Sequence, residues 1–243
     1  MAILVTRPLP DGATTASVLR AKGFAVLLAP MLRFEPVTFH DDSDAPYGAV
    51  IVTSANALRA IETRLQGSAL LKLPLFAVGE HTADAARAAG FAQVISADSD
   101  AAGLRERIVA SVRAKLLKKA SPLLYLAGAD LARDLPAELG ERGFTVVTQT
   151  TYRMVAVPNL PEETRKAFAA DEVEAVLHYS RRSARAFIEA VRAAGVEVSA
   201  LSLPQCCLSA GIATVLRDAG AARVIVASSP DENALFVALV EWI

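Results

Sequence analysis

Two short turns in this 243-residue chain gather small polar side chains at the end of an apolar run. Thr53-Ser-Ala-Asn56 follows residues 49–52, and Ser180-Arg-Arg-Ser183 follows residues 173–177. Hydroxyl and amide side chains at a helix start cap some of its free N–H groups, and the remaining amides, at the positive end of the helix dipole, favour an anion. The same residues also serve as ordinary N-caps, so the chemical reading rests on their occurring as a matched pair. A third turn, Val78-Gly-Glu-His-Thr-Ala83, offers Gly79 for close backbone approach and the Thr82 hydroxyl near a helix start. Its counterpart, Ser209-Ala-Gly-Ile-Ala213, has Ser209 in place of that glycine and Ile212 in place of that threonine. Arg7, Arg133, Arg181 and Arg182 stand at or near the ends of apolar runs as cations for the same class of ligand. Taken singly, each also reads as a solvated surface arginine. Tyr152 adds an amphipathic ring with a polar tip. There is no Walker loop, no Gly-x-Gly-x-x-Gly and no nucleophile elbow, which disfavours nucleotide chemistry and serine hydrolysis.

The elements that must position these residues come in two copies. Residues 48–58 are echoed by 174–184, 4–24 by 124–144, and 78–90 by 208–220. Continuously apolar runs at 2–5, 26–28, 49–52, 75–78, 94–95, 123–126, 146–147, 173–177, 206–208 and 224–226 alternate with helical patterns, as in parallel sheets covered on both faces. Gly23 reads as the residue that ends the first helix. Ser229-Pro-Asp-Glu232 reads as a capping box with proline at the first helical position of the last helix.

Residues 32–39 and 148–157 instead alternate polar with apolar, and each copy reaches this segment nine residues after a glycine, Gly23 to Leu32 and Gly143 to Tyr152. They are expected to pair as an antiparallel ladder and to carry the chain between lobes. The expected fold is therefore α/β: two similar parallel-sheet domains, flavodoxin-like and duplicated, joined by a two-stranded antiparallel ladder, with a cleft between the lobes. Residues 1–33 plus 158–243 would form one discontinuous domain and 40–147 the other, with 34–39 and 148–157 as linker strands. The symmetry fails at Tyr152, whose counterpart is Leu32, and at Arg7, whose counterpart is Ala127.

Composition agrees. Hydrophobic residues make up 53% and charged residues 21%, enough for packed cores. No run approaches the roughly 18 to 20 apolar residues that span a bilayer, and the first residues read as a buried strand and not a signal peptide. These point to the cytoplasm. A net charge of −1 argues against nucleic acid as a bulk electrostatic partner. Cys206 and Cys207 are adjacent in an apolar run and read as buried small hydrophobes. His40, His81 and His178 have no ligand spacing for a metal.

The chain resembles the uroporphyrinogen-III synthase family through Val5-Thr-Arg-Pro8, Thr53-Ser-Ala-Asn-Ala57, Val78-Gly-Glu-His-Thr-Ala83, Leu126-Ala-Gly128 with Arg133-Asp-Leu-Pro136, Tyr152, and Ser180-Arg-Arg-Ser183. The resemblance implies two α/β domains and the cyclisation of hydroxymethylbilane, a linear tetrapyrrole with eight carboxylates, with inversion of ring D through azafulvene and spiro intermediates. It implies no cofactor, a monomer, no membrane, and a transient hand-off from hydroxymethylbilane synthase. It also implies site residues: Tyr152 as the general acid toward the departing hydroxyl, and Arg7, Thr53, Ser54, Asn56, Gly79, His81, Thr82, Gly128, Ser180, Arg181, Ser183 and Ser209 as substrate contacts. Many family members carry a basic or polar residue where Ala127 stands and Gly-x-x-Thr where Ser209 and Ile212 stand. Two other readings compete: a two-lobed sensor that closes on a small anion or tetrapyrrole without catalysis, and a flavodoxin-like flavoprotein, against which the loops before the helices argue.

Overall fold

The computed structural model describes residues 1–39, 46–97, 101–131 and 133–242; His40 and the first residues of the expected 40–147 domain lie outside them. The apolar runs become strands β1 (Ala2–Val5), β2 (Ala25–Leu28), β3 (Leu32–Pro36), β4 (Ala49–Val52), β5 (Pro74–Ala77), β6 (Gln93–Ser96), β7 (Leu123–Gly128), β8 (Val146–Ala156), β9 (Val173–His178), β10 (Pro204–Cys207) and β11 (Arg223–Val226). Two compact units result: Met1–Phe34 with Val155–Ile243, and Glu35–Met154.

Each unit is built on a parallel sheet. The first unit's strand order is β11-β10-β9-β1-β2, and the second sheet runs β6-β5-β4-β7-β8 with β3 beside β8. The sequence echoes pair β11 with β6, β10 with β5, β9 with β4, β1 with β7 and β2 with β8. The two sheets therefore share one topology, and the duplication in sequence is a duplication in fold.

The repeats also end their helices alike. After helix Asp11–Ala21, Gly23 takes φ of +93°, where a side chain would be strained. Its N–H donates to Arg20 O (3.0 Å) and that of Phe24 donates to Leu19 O (3.1 Å), the paired bonds of a Schellman cap. Gly143 and Phe144 make the same two bonds to Gly140 O and Leu139 O after helix Leu135–Gly140.

Strands buried on both faces need apolar residues at every position, and β4 is buried throughout. Val50 and Val52 pack with Ala57, Leu58, Ala83 and Ala86 on one face. Ala49 and Ile51 pack with Leu104, Ile108, Leu135 and Leu139 on the other. In the first unit, Ile3, Val5, Ala175 and Leu177 pack with Leu19, Leu235 and Leu239. Helix Arg181–Ala193 buries Ala184, Phe187, Ile188 and Val191, the stripe its sequence spacing describes. Each large side chain so buried contributes about 1.5–3 kcal/mol.

The alternating segments do pair in opposite directions. Val37 N–H donates to Thr151 O (2.7 Å) and Val157 N–H to Met31 O (3.0 Å), so numbers fall along one segment as they rise along the other. The ladder is not freestanding, because β8 is a continuous strand of 11 residues that begins as the parallel neighbour of β7. One expectation is corrected at the last helix, Glu232–Val240. Its N-cap is Asp231, whose carboxylate accepts from Ala234 N–H (2.9 Å). Pro230 therefore precedes the cap, and Ser229 donates to Asp231. Because the helix begins at Glu232, Asp231 and not Ser229 occupies the position whose side chain can accept from a first-turn amide.

Candidate functional site

In a parallel sheet the helix that follows each strand starts at the strand's carboxyl end, so that edge collects helix N-termini, and ligands bind there. In the second unit the edge reads, strand by strand, Tyr152 on β8, Gly128 at the end of β7, Thr53 and Ser54 after β4, and Gly79 after β5. Four adjacent parallel strands thus align residues that are 99 positions apart between Thr53 and Tyr152.

Tyr152 is placed by a β-bulge. Thr150 lies opposite Ala127, but the next paired positions are Gly128 and Tyr152, so Thr151 is an extra residue in β8. Bulges are rare between parallel strands, and they re-aim side chains. Here Thr151 is buried and its hydroxyl donates to Ala127 O (3.3 Å). The bulge brings Tyr152, in place of Thr151, beside Gly128, whose neighbour Ala129 donates its N–H to Tyr152 O (2.8 Å). A Cβ on Gly128 would lie 2.7 Å from Tyr152 Cζ and 2.9 Å from its hydroxyl oxygen. The ring packs against a core that includes Phe39, Val52 and Leu126.

Thr53 shares a hydrogen bond with Tyr125 (Oγ1···OH 2.8 Å). Burial raises the Tyr125 pKa, which keeps the phenol protonated. Ser54 caps helix Ala55–Ala60 by accepting from Asn56 N–H (3.3 Å), and Asn56 Oδ1 accepts from Arg59 (2.6 Å). Gly79 is the N-cap of helix Glu80–Ala88 with an extended backbone, φ −163°. Any residue could adopt that conformation, but apart from its chain neighbours and its own helix no described atom lies within 4 Å of where its Cβ would be. Open space, and not backbone strain, is what glycine provides there. His81 is exposed in the first turn, whereas Thr82 is buried.

The first unit presents the same edge with different residues: Arg7 after β1, Ser180 after β9 and Ser209 after β10, three neighbouring strands. Ser180 caps helix Arg181–Ala193, its Oγ accepting from Ser183 N–H (3.0 Å) and sharing a 2.9 Å bond with Ser183 Oγ. Ser209 caps helix Ala210–Asp218 without a side-chain bond. The Arg181 side chain passes the first turn of that second helix, its Cδ 3.7 Å from a Cβ position on Gly211.

Two of the expected contacts, Thr82 and Ser183, have buried side chains. Thr82 is only 5% exposed and Ser183 is 0% exposed, because both lie on the inner side of a first helical turn. Ser183 bonds to Ser180 at that edge through both its N–H and its hydroxyl.

Arg7 is already engaged. Its guanidinium donates to Glu232 Oε1 (3.1 Å), Asp11 Oδ2 (3.3 Å) and Thr15 Oγ1 (3.3 Å), and stacks 4.8 Å from the Tyr179 ring centroid. Glu232 Oε1 also accepts from Thr15 (2.6 Å) and the Tyr179 hydroxyl (2.9 Å). One cation beside two carboxylates leaves this cluster net negative. Burial, followed by the charge of Glu232, pushes the Tyr179 pKa up. Arg133 likewise pairs with Glu138. Beneath the edge, His178 is fully buried. Its Nε2 faces Gln205 Oε1 at 2.9 Å, while Gln205 Nε2 donates to Ala200 O and Leu203 O. Two carbonyl acceptors fix the amide's orientation, so His178 carries a proton on Nε2 and donates it to Gln205 Oε1. Burial pushes its pKa down to about 4, and that of each cysteine, Cys206 and Cys207, up to about 12.

Sequence reasoning missed Tyr125 and the Asp11–Thr15–Tyr179–Glu232 group around Arg7. Tyr125 carries one available signal, a hydroxyl-tipped aromatic inside the otherwise aliphatic run 123–126. The Arg7 group joins residues up to 225 positions apart, a distance that no local pattern spans.

A family model described as Uroporphyrinogen-III synthase HemD matches residues 13–237. No curated protein matches the chain closely. Among solved structures, the uroporphyrinogen-III synthetase of Helicobacter pylori is similar at 17% identity with a TM-score of 0.67, covering 99% of this chain and 98% of that one. A mutant uroporphyrinogen III synthase of Thermus thermophilus is similar at 17% identity with a TM-score of 0.59, with the same coverage. These two likenesses bear on the fold.

Proposed function

The chain belongs to the uroporphyrinogen-III synthase family, cyclising lyases of haem biosynthesis, and on that premise we propose how its residues handle hydroxymethylbilane. Tyr152 is the general acid. Its hydroxyl donates to the departing hydroxyl of the substrate, the C–O bond breaks, water leaves, and loss of the pyrrole N–H proton gives the azafulvene. Attack on the azafulvene methylene by the substituted α-carbon of ring D forms the spiro intermediate. That intermediate fragments at the older methylene bond and recloses at the other α-carbon of ring D, with loss of a proton. The net change is one water lost and ring D inverted.

The linear bilane also closes spontaneously to the type I isomer, so the protein's task is mainly conformational. Carboxylates are held by Thr53, Ser54 and Asn56, by the open helix start at Gly79 with His81 nearby, and by the starts of helices Arg181–Ala193 and Ala210–Asp218 with Ser180, Ser209 and Arg181. Neither of those last two helices has an acidic residue in its first turn, and the first of them places Arg181 and Arg182 there. Cations at the positive end of a helix dipole repel it, and a bound carboxylate relieves that repulsion. Arg7 contributes through its cluster once the substrate competes with Asp11 or Glu232. We place the reaction in the cytoplasm, on a monomer that takes the bilane by hand-off from hydroxymethylbilane synthase. A substrate that closes by itself favours a short transfer.

The observation that carries this reading is the bulge that sets Tyr152 over Gly128, in line with Thr53 and Gly79. Its test is a coupled assay from porphobilinogen with hydroxymethylbilane synthase, separating the oxidised type I and type III products. Type III should dominate; type I alone, with folded protein present, refutes the reading.

A further inference from the structure

We propose that Tyr125 is a positioning residue that commits the Thr53 hydroxyl to donate to a substrate carboxylate, an inference that rests on Thr53 being a substrate contact. The strand register sets Ile51 of β4 opposite Tyr125 of β7. Thr53, two residues beyond Ile51, points to the same face, and the phenol reaches it diagonally at 2.8 Å. The Tyr125 ring is 3% exposed and sits among Ile51, Phe76, Leu104 and Ala127. Packing therefore fixes where its hydroxyl lies.

Each hydroxyl has one hydrogen, and neither has another hydrogen-bonding partner among the described residues. A phenol O–H is far more acidic than an aliphatic one, and the aliphatic oxygen is the better acceptor. The bond therefore runs from Tyr125 to Thr53. This direction leaves the Thr53 hydrogen unused on a half-buried side chain at the carboxyl edge of the sheet. A carboxylate can only accept, so it requires that hydrogen. In the opposite polarity, Thr53 would spend its one proton on Tyr125 and present only lone pairs to the anion. The donation from Tyr125 also polarises Thr53 and strengthens the outward bond. Tyr125 thus acts through Thr53 and needs no substrate contact of its own.

The test is steady-state kinetics with hydroxymethylbilane on the wild type, Tyr125→Phe, Thr53→Val and the double variant, with thermal unfolding of each. Tyr125→Phe keeps the buried ring and should raise KM about fivefold while leaving kcat within about twofold. Thr53→Val should raise KM at least as much, and the double variant should match Thr53→Val alone, because the phenol has nothing left to orient. A lower Tm with unchanged KM in Tyr125→Phe reduces the residue to a structural role and overturns the proposal. Effects on KM that multiply in the double variant overturn it as well. Unchanged KM in Thr53→Val defeats the underlying substrate contact instead, an outcome distinct from a raised KM in Thr53→Val with normal KM in Tyr125→Phe.

Discussion

Tyr152 and Gly128 face one another across a parallel strand pair, so close that a Cβ on Gly128 would sit 2.7 Å from Tyr152 Cζ. Glycine is required here for the space above it, because a methyl group would push against the ring and not a flexible chain end. Gly128→Ala should therefore displace the Tyr152 hydroxyl, lowering the rate of type III formation about tenfold or more and stability by about 1–3 kcal/mol. Isomer analysis and urea unfolding of this variant measure the two effects. An unchanged type III rate would show that the ring's position is immaterial to the reaction.

The two helix-start serines of the first unit differ in what they do for folding. Ser180 accepts a capping bond from Ser183 N–H (3.0 Å), while Ser209 makes none through its side chain. Ser180→Ala should cost about 1 kcal/mol, and Ser209→Ala should stay within about 0.5 kcal/mol. If both helix starts hold carboxylates, both variants raise KM. Chemical denaturation separates the stability effects, and kinetics checks the shared one.

His178 gives the protein an acid-side weakness. Its pKa is about 4 in the folded state, against about 6.5 unfolded, so the unfolded chain binds the proton more readily between these values. The neutral ring contributes fully above pH 6.5, and its contribution is lost as pH falls toward 4. The loss should total about 3 kcal/mol. Unfolding free energies measured from pH 7 down to pH 4 should show this slope, and His178→Leu, which cannot titrate there, should lack that share of it.

Much of the architecture was legible because it depends on local patterns. Runs such as 49–52 and 123–126 must be strands buried on both faces, and the Gly23-Phe24 and Gly143-Phe144 pairs end their helices by the same local bonds. The alternation in 148–157 likewise identified a strand of a different kind. The bulge at Thr151 was not legible, since it depends on how β8 slips past β7 and not on any residue type unusual for a strand. The burial of Thr82 and Ser183 was not legible, because the turn sequence locates a helix start but not which side of its first turn faces inward. Arg7 reads as an available cation because Glu232, one of its two carboxylate partners, is distant in sequence and reads as part of a cap.

The central claim is that Tyr152 supplies the proton that frees the substrate hydroxyl. Tyr152→Phe keeps the ring over Gly128 and removes only the hydroxyl, so the decisive measurement is its kcat for uroporphyrinogen III formation, with fold checked by circular dichroism. The account predicts a fall in kcat of about a hundredfold, with the type I isomer accumulating from the spontaneous reaction. Wild-type kcat with type III product from a folded Tyr152→Phe protein would contradict it.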